Sequence, residues 1–158
     1  MCTYRRKQLR LKHYDYKQNG LYFITICIQN RECLLGEIND QITVYEAGEM
    51  LKEIWKNMPL YYNGVHTHEF IVMPNHIHGI MELSSSELSL TTIIQRFKTL
   101  TTTKYINGVR HNHWYPFRKK LWQRNYYEHV IRDEKSLEEI QKYIVNNPYH
   151  WEEDVLHP

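Results

Sequence analysis

The chain has 158 residues, 42% hydrophobic and 24% charged, which is typical of one globular domain and excludes disordered and fibrous proteins. Its formal net charge of +2 is too small to indicate nucleic-acid binding by itself. Mean hydropathy is -0.65, and no apolar run approaches the roughly 20 residues of a membrane helix. The three cysteines lack CxxC spacing and form an odd set, which favours a reducing compartment. We therefore expect a single cytoplasmic domain over residues 1–158, without a membrane span.

Apolar periodicity along the first half of the chain predicts a strand, a helix and a pair of strands. Residues 21–28 are rich in β-branched and aromatic side chains and predict the first strand. Apolar residues at helical spacing over 44–58, followed by Pro59, predict a helix that ends at the proline. The apolar segment 69–83 is interrupted at Pro74, which predicts two strands, 69–73 and 76–83, joined by a short turn.

The second half of the chain predicts a helix, a strand and a final helix. The second helix covers 91–107 and is expected to end at Gly108; a loop follows over 108–120 and a fourth strand over 122–131. A capping box at Ser136 predicts a helix that ends near Asn147, before Pro148. The first six elements, β-α-β-β-α-β, match the ferredoxin-like split βαβ, an α+β fold with a four-stranded antiparallel sheet and helices on one face.

Basic residues are concentrated in two places. Five positive charges precede the first acidic residue, Asp15, in an N-terminal arm that we define as residues 1–20. A second cluster lies beside aromatic residues in 118–124. Such neighbours are suited to phosphate contact and base stacking, although solvated arms and loops have a similar composition. The candidate DNA-binding residues are Arg5, Arg6, Lys7, Arg10, Arg118, Lys119, Lys120 and Arg124.

The pair of histidines in strand 76–83 is the strongest candidate for chemistry. His76 and His78 should project from the same face of the strand, about 6.5–7 Å apart along the chain, while Ile77 points to the other face. Such a pair can bind one divalent cation, or it can be an ordinary surface or hydrogen-bonded pair. Two other pairs have polar central residues and are expected to be exposed: His66 with His68, and His111 with His113.

The final helix offers a tyrosine and an asparagine one turn apart. Tyr143 and Asn147 are separated by four residues and lie on one shoulder of the helix's buried stripe. A phenol and an amide are therefore presented side by side. Taken alone, this pattern favours a tyrosine at the boundary of the core and an asparagine that caps the helix.

Taken together, these features resemble the REP-associated tyrosine transposases, which are single-tyrosine HUH transposases of the insertion-sequence type. The HUH motif (His, hydrophobic, His) lies within 73–80. Three further blocks, 22–27, 122–134 and 143–148, resemble the family in the same order, so the resemblance extends over nearly the whole chain.

The resemblance implies an HUH endonuclease domain that uses Mg²⁺ or Mn²⁺. His76 and His78 would hold the ion, Tyr143 would be the nucleophile, and Asn147 would offer a third ligand. Because Asn147 precedes a proline, its helical geometry is expected to be frayed. Family members cleave single-stranded DNA beside an imperfect hairpin. The implied reaction is therefore cleavage and rejoining of single-stranded or hairpin (REP-like) DNA through a 5′-phosphotyrosine, by a monomer or a homodimer.

Several alternatives stay open. Glu128 and His129 are auxiliary candidates, as a proton acceptor or a substitute metal ligand, although each is equally a structural hydrogen-bonding residue. Tyr126 and Tyr127 compete for the role of nucleophile, although we interpret them as stacking or packing residues. The rival functions are a relaxase or replication-initiator type of nicking enzyme, a catalytically silent DNA hairpin-binding protein, and an RNA-binding module on the same scaffold.

Overall fold

The computed structural model describes residues 19–158, so four of the basic candidates, Arg5, Arg6, Lys7 and Arg10, lie outside the described residues. The elements follow in chain order: β1 (Gly20–Cys27), a short 3-10 turn (Gln29–Arg31), β2 (Gly36–Ile38), β3 (Ile42–Val44), α1 (Glu46–Tyr61), β4 (Val65–Met73), β5 (His76–Leu83), α2 (Leu90–His111), β6 (Tyr127–Ile131), α3 (Glu134–Asn146) and a 3-10 helix (Asn147–Glu153). The main sheet has the order β4-β5-β1-β6, and all three strand pairs are antiparallel. The predicted α+β, ferredoxin-like sheet is confirmed.

The two faces of the sheet pack against different helices. The larger core lies on one face, where residues of β1 such as Tyr22, Ile24 and Ile26 are buried together with Trp55 of α1 and Phe97 of α2. On the opposite face, a smaller core joins Phe23, Ile80 and Ile131 to Ile144 of α3. Successive side chains of a strand point to opposite faces, so this alternation decides which residues of β5 lie on the α3 side.

Two helices run past the residues that were expected to end them. Pro59 lies within the last turn of α1, where its missing N–H costs only one helical bond, and the Tyr62 N–H still closes the turn on the Met58 carbonyl at 3.1 Å. Gly108 lies inside α2 rather than after it. A Cβ atom there would come within 2.1 Å of the Trp114 indole, so glycine allows close packing and does not terminate the helix.

The other differences from the predicted elements are local. The strand expected over 122–131 begins only at Tyr127, because Trp122 turns its indole into the core and donates to Thr101 Oγ1 at 3.0 Å. α3 begins before Ser136, because the carboxylate of Asp133 accepts from the Ser136 N–H at 2.7 Å and caps the helix. The β2–β3 hairpin was not predicted. Among the described residues, no helix is both long enough and apolar enough to cross a membrane.

Candidate active site

Strand pairing places the two histidines of β5 together on the α3 face. His78 lies opposite Thr25 and His76 opposite Cys27, whereas Ile77 is fully buried in the core on the other face, as the alternation predicted. The side chains of His76 and His78 are also buried, with 0% and 3% exposure. Their Nε2 atoms are 3.1 Å apart. The two imidazoles therefore converge on one point beneath α3.

The Asn75 amide fixes the tautomer of His76. Its Nδ2 donates to the backbone carbonyls of Leu156 at 2.7 Å and Arg31 at 3.2 Å, so its Oδ1 must face His76 Nδ1, 2.7 Å away. Nδ1 of His76 therefore carries the hydrogen, which leaves the lone pair of Nε2 pointing into the site. An outer hydrogen bond that orients a histidine in this way is typical of metal-binding imidazoles.

His78 is held by a partner that allows either tautomer. The hydroxyl of Thr25 lies 2.7 Å from His78 Nδ1 and can donate or accept by rotating. With Nδ1 protonated, His78 presents a second Nε2 lone pair to the same point as His76. With Nε2 protonated, it can instead donate across the 3.1 Å to His76. The pair is thus compatible with a shared cation and with a hydrogen bond in its absence.

Burial keeps both imidazoles neutral. Desolvation lowers the pKa of His76 from 6.5 to about 4, although the nearby Asp154 carboxylate opposes this shift. Desolvation also lowers the pKa of His78 well below its ordinary value, and the neighbouring His76 adds to the effect. Both rings are therefore unprotonated at neutral pH, which is the state that binds a metal ion.

α3 brings Tyr143 over the histidine pair. The Tyr143 ring centroid lies 5.4 Å from that of His78 and 6.0 Å from that of Phe23, while Ile144, the next residue, anchors the helix in the smaller core. Tyr143 is 48% exposed, so its ring borders the site and also meets solvent. Burial of the phenol and the charge of Asp154 raise its pKa, and the amide of Asn147 partly opposes that rise.

Asn147 keeps helical geometry, although its position before a proline predicted a frayed end. Its backbone is helical, with φ of -56° and ψ of -40°, because the chain continues directly into the 3-10 helix and Pro148 occupies a first-turn position that needs no N–H donor. Its side chain is 3% exposed and close enough to His76 to influence the pKa of that ring. Nevertheless, its Oδ1 is buried and makes no hydrogen bond of standard geometry with the described residues.

Sequence reasoning missed Asp154, which enters the site from the C-terminal tail (residues 147–158). Its side chain is 4% exposed, and its Oδ2 lies 3.7 Å from His76 Nε2. The ligand atoms of His76, His78 and Asp154 all lie within 4.8 Å of one another. The tail is held down by the Asn75–Leu156 bond and by Trp151, whose ring stacks on His76 at 6.1 Å. The sequence offers one signal for this docking, a tryptophan within a charged segment, and the structure buries that tryptophan.

The remaining candidates lie farther from the histidines. Glu128 pairs with Ile24 and is buried on the opposite face of the sheet, so the structure does not bring it to the site. His129 pairs with Phe23 on the α3 face, but it is exposed near the edge of the sheet. Tyr126 is buried on the α2 side, and its hydroxyl lies 3.2 Å from Thr91 Oγ1. The four histidines that were expected to be exposed are exposed: His66, His68, His111 and His113.

The basic loop lies at the same end of the sheet as the histidines. Arg118, Lys119, Lys120 and Arg124 are all exposed. Their loop is tied to the end of β1 by two backbone bonds, Gln29 N–H to the Leu121 carbonyl at 2.8 Å and Gln123 N–H to the Cys27 carbonyl at 2.9 Å. Because Cys27 pairs with His76, these bonds bring the loop near the candidate metal ligands.

Residues 16–147 match the family described as IS200-like transposases. The chain belongs to that family. One Haemophilus influenzae relative of this transposase, of uncharacterised function, is 41% identical over 96% of this chain and 93% of its own length. Another from the same organism, provisionally named a REP-associated tyrosine transposase, is 30% identical over 94% of this chain and 76% of its own length. The predicted membership of the REP-associated group is thereby confirmed.

Solved structures of transposases share the fold. One, a REP-associated tyrosine transposase bound to a REP hairpin, superimposes with a TM-score of 0.65 at 21% identity, covering 89% of this chain and 73% of that one. A Deinococcus radiodurans protein, provisionally described as a transposase, has a TM-score of 0.56 at 21% identity, covering 87% of this chain and 95% of that one. These two likenesses establish the architecture of this transposase.

Proposed function

We propose that this transposase cleaves and rejoins single-stranded or hairpin DNA, with Tyr143 as the nucleophile and Mg²⁺ or Mn²⁺ as the cofactor. The observation that carries the proposal is the position of the Tyr143 phenol, on a helix packed directly over two convergent, neutral imidazoles. A relative of the same fold is described as bound to a REP hairpin, and this supports hairpin DNA as the substrate.

The side chains around the histidines fit a divalent cation. His76 and His78 would hold it through Nε2, and Asn147 would add its amide oxygen, which is buried without a hydrogen bond of standard geometry. The donor set contains no thiolate or thioether, which soft metals prefer, and the amide oxygen of Asn147 is a donor of the type that suits Mg²⁺ and Mn²⁺. When bound, the ion would polarise the scissile phosphate and offset the negative charge that develops there.

Tyr143 would carry the covalent step. Its raised pKa means that the phenol is protonated at neutral pH, so it must lose its proton as its oxygen attacks phosphorus. The bond from phosphorus to the 3′-oxygen breaks as the tyrosine–phosphorus bond forms, and the 3′-oxygen takes up a proton. The products are a 5′-phosphotyrosine and a free 3′-hydroxyl. Because a phosphoester is kept, the reverse attack by a 3′-hydroxyl can rejoin strands without ATP.

The DNA would extend from the site toward the basic loop. Arg118, Lys119, Lys120 and Arg124 are exposed at the same end of the sheet as His76 and can neutralise backbone phosphates. We place the basic arm, with Arg5, Arg6, Lys7 and Arg10, in the same role. His129 stays an auxiliary candidate. One domain over residues 1–158, acting as a monomer or a homodimer, completes the proposal.

The deciding experiment offers labelled imperfect hairpins with single-stranded flanks, in Mg²⁺ or Mn²⁺, and looks for a protein–DNA adduct that resists denaturant. Tyr143→Phe should abolish the adduct and keep hairpin binding, because the substitution removes one oxygen and keeps the ring contacts. His76→Ala and His78→Ala should also abolish it. Tyr149→Phe, at an 84% exposed tyrosine, is the matched control and should form the adduct normally.

The outcome separates the rival functions. An adduct that persists in Tyr143→Phe and is lost in Tyr127→Phe would move the nucleophile to β6 and contradict our assignment. Hairpin binding by the wild-type protein with no adduct in either metal would instead favour a catalytically silent DNA hairpin-binding protein. A relaxase or replication initiator shares the HUH chemistry and would form the same adduct.

A further inference from the structure

We propose that Asp154 is a carboxylate ligand of the same metal centre, supplied by the C-terminal tail. This inference rests on the proposed function, because it assumes that His76 and His78 bind a divalent cation. It adds an anionic oxygen to a site whose other donors are neutral. It also gives the tail a direct part in building the site.

The distances around Asp154 are close to those of ligands that share one ion. Two ligands bound about 2.1 Å from an octahedral ion lie about 3 Å apart when adjacent and about 4 Å apart when opposite. The Nε2 atoms of the two histidines are 3.1 Å apart, and Asp154 Oδ2 is 3.7 Å from His76 Nε2. All three ligand atoms lie within 4.8 Å of one another. Little movement is needed for all three to bind one cation.

The carboxylate is aimed into the site and lacks a partner there. Asp154 Oδ1 accepts the Leu156 N–H at 2.8 Å, and this bond directs Oδ2 toward His76. Oδ2 is buried and has no hydrogen-bond donor among residues 19–158. Oδ2 lies at ion-pair distance from His76 Nε2, but burial keeps that ring neutral at neutral pH. An uncompensated carboxylate in such a place is costly, and a cation between it and the imidazoles removes that cost.

The tail that carries Asp154 lies beyond the residues that match the family. The match ends at Asn147, and Asp154 follows after one 3-10 helix. Trp151 and Leu156 hold this segment against His76 and Asn75 respectively. With Asp154 and Asn147 both bound, a six-coordinate ion keeps two positions for phosphate oxygens. The extra ligand is therefore compatible with the proposed chemistry.

The test measures metal binding without DNA. Mn²⁺ is titrated into the full chain, and free Mn²⁺ is followed by electron paramagnetic resonance. Asp154→Asn should weaken Mn²⁺ binding at least tenfold, because an amide replaces the anionic oxygen while its oxygen can still accept from Leu156. Glu153→Gln removes the same charge from the exposed neighbouring residue and should change the affinity less than twofold. Equal affinity of Asp154→Asn and wild type would overturn the proposal.

A spectroscopic readout distinguishes a ligand from a residue that only orders the tail. The visible absorption of Co²⁺ bound at saturation should differ between wild type and Asp154→Asn if the carboxylate is coordinated. An identical spectrum at saturation would overturn direct ligation. The two proposals can fail separately. If the wild type forms the adduct and Asp154→Asn does not change metal binding, only the assignment of Asp154 as a ligand is refuted. If Asp154→Asn weakens metal binding but the wild type forms no adduct, only the proposed DNA cleavage is refuted.

Discussion

The buried histidine pair should make the metal-free protein unusually sensitive to mild acid. The pKa of His76 is lowered from 6.5 to about 4, so the unfolded chain takes up a proton at a higher pH than the native protein does. The contribution of the neutral His76 ring to the free energy of unfolding is therefore fully present above pH 6.5, and it is lost as the pH falls toward 4. Each pKa unit corresponds to about 1.4 kcal/mol. Protonation linked to His76 alone should therefore lower the free energy of unfolding by about 2 to 3 kcal/mol between pH 7 and pH 4.5. His78, whose pKa is also lowered, acts in the same direction.

Urea unfolding at pH 7 and at pH 4.5, in EDTA, measures this loss. His76→Gln removes one buried imidazole and should show a smaller loss of unfolding free energy than wild type, by about 2 kcal/mol. His66→Gln, at an exposed histidine, is the matched control and should keep the wild-type loss. Carboxylates titrate in all three proteins, so their contribution cancels in the comparison. Equal losses in wild type and His76→Gln would show that the buried pair is not the source of the acid sensitivity.

Two further substitutions test how the site is supported. Gly79→Ala would place a Cβ 2.5 Å from Trp55 and 3.0 Å from Phe70, so it should lower the free energy of unfolding in urea by about 1–3 kcal/mol. If the variant is as stable as the wild type, the Trp55 ring moves aside without cost. Asn75→Ala removes the acceptor that orients His76 and should weaken Mn²⁺ binding about 10- to 100-fold, measured by the Mn²⁺ titration described for Asp154→Asn. Unchanged Mn²⁺ affinity would show that this hydrogen bond does not set the ligand geometry.

The features that sequence predicted are those carried by local periodicity. Alternation in β5 placed His76 and His78 on one face, and helical spacing placed Tyr143 beside Asn147. The β2–β3 hairpin was missed because its strands have only three residues each, too few for a period to show. Gly108 was misjudged because its role depends on Trp114, a contact made through tertiary folding.

Asp154 illustrates the limit of periodicity more sharply. It lies in a tail where no regular alternation exists, and its proposed role rests on a distance of 3.7 Å to a histidine 78 positions earlier in the chain. Only the docking of the tail, through Trp151 and the Leu156 carbonyl, brings the two together. A local pattern cannot encode such a contact, whereas it can encode a pair of side chains two residues apart.

The donor and acceptor balance of the site argues for a cation more strongly than its shape does. A purely structural cluster of buried polar groups pairs donors with acceptors. Here a proton on His78 Nε2 can satisfy His76 Nε2, yet Asn147 Oδ1 and Asp154 Oδ2 still lack a donor among the described residues. Within residues 19–158, two buried acceptors therefore make no hydrogen bond of standard geometry. One divalent cation would serve both of them and both imidazoles at once, and it would do so beside Tyr143, the proposed nucleophile.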